Sequence, residues 1–128
     1  MLPYLPFDVP FPPRMPTRLR GVASDRPVVG FCGMKNSLTR ARSALLDTLS
    51  AANSTMRTNF ILRRRFMGGP ASVFDRNLNE SHFVVSTRGR GNFAIRLYQA
   101  LAAGRIPVLS RPAGSFLLPL ENAIPWER

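Results

Sequence analysis

The residues best suited to chemistry in this chain lie close together. Arg88, Gly89, Arg90, Gly91 and Asn92 form a short basic run, and Arg96 and Gln99 follow one and two helical turns later. Each guanidinium can grip phosphate oxygens in pairs, and glycine lets a ligand approach the main chain closely. Asn92 is a suitable N-cap for a helix beginning at position 93. A helix start offers an anion unpaired N–H groups and the positive end of the dipole. Asn92, Arg96 and Gln99 stand at i, i+4 and i+7, so they share one stripe of that helix. The chemistry that fits is the binding of a phosphate or diphosphate. The run is neither a GxGxxG fingerprint nor a P-loop with its lysine, and such a turn can also be only a tight connection beside surface arginines.

The elements around this run are predicted from its flanks. Residues 83–86 are apolar and β-branched, as in a buried parallel strand. Residues 93–103 contain no Gly or Pro and favour helix, with Phe93, Leu97, Ala100 and Leu101 expected to face a sheet. Gly104 stands where a left-handed C-cap is expected. Residues 106–109 read as a second strand, with Pro107 at its start or on an edge. The unit is βαβ, and in open parallel sheets ligands bind beyond the carboxyl ends of the strands.

Upstream the same alternation continues. Residues 27–33 read as a strand. Ser37 is expected to cap a helix running to about residue 51, with Leu38, Ala41, Leu45, Leu46 and Leu49 at helical spacing. Residues 60–62 read as the next strand, Arg63, Arg64, Arg65 and residues 67–70 as a basic loop, and 71–79 as a short helix with Phe74 and Leu78 inward. This order predicts a single-domain α/β fold with a Rossmann-like parallel sheet of about four strands, flanking helices and right-handed crossovers. Residues 1–26 read as an extended Pro-rich lead-in, with six prolines in the first 16 positions and no signal-peptide pattern. The domain is assigned to residues 27–128.

A chain of 128 residues suits one domain. Its net charge of +11 comes from 17 Arg and one Lys against seven acidic residues. Such a balance attracts nucleic acid, anionic membranes or phosphorylated metabolites. Nucleic acid is the weaker partner: no RNP, KH or zinc pattern appears, and the Arg-Gly-Arg-Gly run occurs once. A charge run such as Arg63 to Arg65 is more often solvated surface than a nucleic-acid patch. No apolar run reaches the length of a membrane span. Cys32, the single cysteine, reads as a small buried hydrophobe. His82, the single histidine, reads as a structural or surface residue and not as a catalytic one. The acids are scattered without a DxD pattern or a carboxylate pair, so no metal site is expected and no residue is named as a catalytic base.

From Asn77 onward the chain resembles the exostosin family of glycosyltransferases. The resemblance is carried by Ser81, residues 88–92, Arg96-Leu97, Ala100-Leu101 and the run Ala103-Gly104-Arg105-Ile106-Pro107-Val108. Leu118-Pro119 and Ile124-Pro125-Trp126 are similar to the family's later Leu-Pro and Ile-Asp-Trp elements. The resemblance implies the C-terminal, donor-binding half of a GT-B type enzyme, which transfers a sugar from a nucleotide sugar to a glycan or other acceptor. It implies no cofactor and no catalytic metal, with a UDP-sugar as the expected donor substrate. Residues 88–92 and Arg96 would meet the donor diphosphate. The family's helix glutamate, which would meet the ribose, is Gln99 here. The family's frequent serine is Ala94, and its Ile-Asp-Trp aspartate is Pro125. Two readings stand beside this one: a catalytically inactive nucleotide-binding module of the same fold, and a basic nucleic-acid-binding protein.

The length accommodates one of the two domains of such an enzyme, so either an N-terminal acceptor domain on another chain is the partner, or the chain is a truncated relative without activity. Proximity and orientation of both substrates supply much of a transferase's rate. The 128-residue chain assayed alone is therefore expected to bind a nucleotide sugar and to transfer no sugar. Transfer of labelled sugar to a glycan acceptor by the isolated chain would contradict the half-enzyme expectation.

Overall fold

The computed structural model describes residues 21–35, 40–64, 71–87, 95–109 and 122–124. Strands β1 (Val28–Gly33), β2 (Arg57–Leu62), β3 (Phe83–Val85) and β4 (Ile106–Val108) alternate with helices α1 (Arg40–Ala51), α2 (Ala71–Asn79) and α3 (Ile95–Ala102). The strands form one sheet in the order β2-β1-β3-β4, and every pairing is parallel. This is the expected α/β architecture, a Rossmann-like parallel sheet with flanking helices.

Alternation along the strands divides the core into two faces. Val29 and Phe31 of β1 and Val85 of β3 pack with Leu46 of α1, joined by Leu45, Leu49, Met56, Phe60, Phe83 and Val108. On the opposite face, Val84 packs with Leu78 of α2, with Ala100 of α3 and Ala103, and with Phe74 beside them. One helix therefore covers one face and two cover the other. The chain steps from β1 outward to β2, then back across β1 to β3 and on to β4. Right-handed crossovers taken in opposite directions place their helices on opposite faces.

Several elements differ from the sequence expectation. β2 begins at Arg57, three residues before the expected start at Phe60. Its six residues align with the six of β1, from Val28 beside Arg57 to Gly33 beside Leu62. Backbone pairing recruits the polar residues, and Arg57 and Thr58 remain solvent-exposed at the sheet edge, where no apolar pattern is required. In α3, Leu101 is 46% exposed, although it was expected to face the sheet. Ala100 and Ala103 meet Leu78 of α2 as well as Val84, and the buried positions are 97, 99, 100 and 103, which leaves 101 outside the stripe. β3 and β4 are each one residue shorter than expected, although Ser86 N–H still donates to Val108 O at 2.9 Å. Gly104 has φ 64°, the left-handed cap. Pro107 lies in the outermost strand β4, where a missing N–H costs least. The lead-in up to residue 20, Ser37, the loop 65–70 and Phe93 fall outside the described residues.

α2 is fixed to the sheet by polar contacts at its C-terminal end. Asn77 Nδ2 donates to Asn59 O at 2.7 Å, and Ser81 Oγ donates to Asn77 O at 2.6 Å. Asn77 and Ser81 are both buried, so these bonds satisfy groups that would otherwise be costly. The contact needs Gly30 beneath it. A Cβ at position 30 would collide with Ser81 Oγ, would sit 2.7 Å from Ser81 Cβ and would be 3.2 Å from Asn77 Oδ1. Gly30→Ala is accordingly expected to lower stability by ~1–3 kcal/mol, the range for overpacking. Gly21→Ala, where nothing lies within 4 Å, should be nearly neutral. Urea unfolding of both variants tests this, and equal midpoints would refute it.

Candidate anion site at the strand ends

The neighbours of β1 in the sheet are β2 on one side and β3 on the other, and the chain reverses direction there. That switch point is where open α/β sheets hold ligands, beyond the carboxyl ends of the flanking strands. Gly33 ends β1 and Val85 ends β3. Three arginines from three different connections converge on this edge.

Arg42, on the opening turn of α1, spans the crevice. Its Nε donates to Thr87 Oγ1 at 2.7 Å, just past β3, and its Nη1 donates to Met34 O at 3.1 Å, just past β1. Its guanidinium lies 5.8 Å from the Phe31 ring centre. Burial pushes the Arg42 guanidinium below its usual range. Arg63 follows β2, and its N–H donates to Gly33 O at 2.8 Å, which carries the side chain's root alongside the end of β1. Arg63 Nη2 is buried and has no hydrogen-bond partner among the described residues. Arg96, second residue of α3, lies over Phe74 of α2, its guanidinium carbon 3.8 Å from the ring centre. This is a close cation–π contact. Its Nη1 makes a long bond of 3.4 Å to Gln99 Oε1.

Arg96 is pushed down to about 10, chiefly by burial, with Cys32 opposing the shift and the charges of Arg63 and Arg42 adding to it. A guanidinium at that value is still a cation near neutral pH. Among the described residues, the ion pairs Arg26–Asp25 and Lys35–Asp47 are exposed to solvent. The crevice thus concentrates positive charge in a partly desolvated place, which favours an anionic ligand.

Of the residues expected at the site, Arg96 and Gln99 come together on α3, and Gln99 is buried at 7% exposure with its acceptor oxygen toward Arg96. Arg88, Gly89, Arg90, Gly91 and Asn92 lie outside the described residues. Arg42, Thr87 and Phe74 were not singled out as site residues by the sequence. The signal for Arg42 was its place just after the first βα connection, the one nearest the switch point. Arg63, expected as solvated surface, sends one nitrogen into the protein, whereas Arg64 is exposed. Cys32 is buried, as expected of a small hydrophobe. His82 is built into the sheet: its Nδ1 accepts from Val28 N–H at 3.0 Å, and its main chain bonds Val28 O and Ile106 N–H. Among the described residues no group of three His, Cys, Asp or Glu side chains could hold a metal ion, and no helix is long and apolar enough to cross a membrane.

No protein-family model, curated protein or solved structure matches the chain.

Because His82 closes the entry of β1 and not the crevice, His82→Ala is expected to cost ~1–3 kcal/mol, the penalty for a buried donor left unpaired. The same variant should leave ligand affinity unchanged. Chemical denaturation alongside a nucleotide titration checks both halves, and an affinity loss at constant stability would show His82 to be a ligand contact.

Proposed function

We propose that this chain is the donor-binding domain of a glycosyltransferase, one that holds the diphosphate of a nucleotide sugar at the carboxyl ends of β1 and β3. The observation that carries the proposal is that Arg42 bridges the exits of β1 and β3 while Arg96, from α3, lies near enough to feel its charge. A phosphorylated ligand is the class such a place accommodates, and paired guanidinium groups match phosphate oxygens. The exostosin resemblance supplies the sugar-transfer part of the reading, through Arg96, Gln99 and the run from Ala103 to Val108. Residues 88–92 would complete the diphosphate contact, the acceptor would be a glycan or similar molecule, and a UDP-sugar is the expected donor.

Calorimetric titration with UDP and a UDP-sugar, set against a single-stranded oligonucleotide, tests the proposal. Arg96→Ala and Arg88→Ala are each expected to weaken nucleotide-sugar binding by ~1.5–3 kcal/mol, the range for hydrogen bonds to charged groups. The affinity should fall only modestly with added salt. Tight oligonucleotide binding with a steep salt slope would favour a nucleic-acid partner instead. Unchanged affinity in both variants would remove the diphosphate assignment.

A further inference from the structure

We infer that Arg63 is a second anion-contacting residue of the crevice: its buried Nη2 takes an oxygen of an anionic group lying over the end of β1, beside the group held by Arg96. A ligand that satisfies both must carry two neighbouring anionic groups, and the site then selects diphosphates over monophosphates. The inference rests on the reading of the crevice as a phosphate site.

Three observations lead there. First, Arg63 is not free to swing from the end of a loop. Its own N–H is tied to Gly33 O at 2.8 Å, so its side chain starts at the central strand's carboxyl end. Second, Nη2 is buried with no partner among the described residues. A charged donor left unpaired costs more than a neutral one, of which ~1–3 kcal/mol is typical, and such a vacancy is relieved by an oxygen ligand. Third, Arg96 and Arg42 approach the same place, and their charges act on one another. Like charges brought together in a partly desolvated crevice oppose folding, and a bound dianion reverses the sign of that interaction. The ligand is therefore expected to stabilise the protein as well as to occupy it.

A structural arginine and a ligand-binding arginine differ in what their removal does to the unliganded protein. A structural one lowers the melting temperature when replaced. One held against other cations leaves it unchanged or raises it. The test uses the full chain at fixed ionic strength, with pyrophosphate and orthophosphate as probes, in calorimetry and thermal melts. Arg63→Gln is compared with wild type, with Arg96→Ala, and with Arg57→Gln, which removes an exposed charge at the opposite end of β2. Pyrophosphate is expected to bind wild type at least about tenfold more tightly than orthophosphate. Arg63→Gln should weaken pyrophosphate by about tenfold or more and orthophosphate by less than about threefold. The same variant should melt, without ligand, at or above the wild-type temperature. Arg57→Gln should change none of these. Arg63→Gln that binds pyrophosphate as Arg57→Gln does overturns the inference while leaving the phosphate reading intact, provided Arg96→Ala still weakens binding. Arg63→Gln that melts well below wild type, or fails to fold, assigns Arg63 to the fold and also overturns it. Wild type that binds neither anion overturns both readings.

Discussion

The whole domain hangs on β1. Its backbone is paired on both sides, in parallel, with β2 through all six residues and with β3 at Val29 and Gly30. Val28, Val29, Phe31 and Cys32 are all buried, so both faces of the strand are covered. Its entry is closed by His82, whose ring accepts from the Val28 N–H. At its middle, the lack of a side chain at Gly30 admits Ser81 and Asn77, and through them α2 is set on the sheet. A parallel strand gains its partners only through long crossovers. Fixing β1 therefore fixes where α1, α2 and the two neighbouring strands must end, and with them the crevice at the carboxyl edge.

That crevice is a place where stability and binding pull in different directions. Aromatic rings from two elements, Phe31 and Phe74, lie against Arg42 and Arg96. Such faces ease the burial of guanidinium groups by contributing ~0.5–2 kcal/mol each. Arg42 also ties the β1 and β3 exits together through Met34 O and Thr87 Oγ1. A planar fork can hold two acceptors at once, which a lysine ammonium does with less geometric definition. Arg96 still feels Arg63 and Arg42 as cations. Perturbed charged groups gather at sites that work on charged ligands more often than elsewhere, and here they gather at the topological switch point.

Much of this was legible in the residues themselves. Local physics decides the elements: the helix over Ala71–Asn79, the glycine cap at Gly104 and the strand character of residues 83–85 follow from propensity, capping and β-branching over a few positions. The strand–helix alternation determined the parallel sheet, because consecutive parallel strands require a crossover. The polar stripe of Arg96 and Gln99 on one side of α3 likewise follows from helical spacing alone. The tertiary structure decided what depends on neighbours distant in sequence. The polar start of β2 became strand because six residues of β1 lie beside it. Leu101 was left exposed because α2 took the adjoining stripe of α3. Arg42, Arg63 and Arg96, spread over more than fifty positions, became one charged crevice because strands of a parallel sheet all end on the same edge. Spacing along a chain can specify a face of one helix, but only the pairing of strands can bring three separate connections to one point.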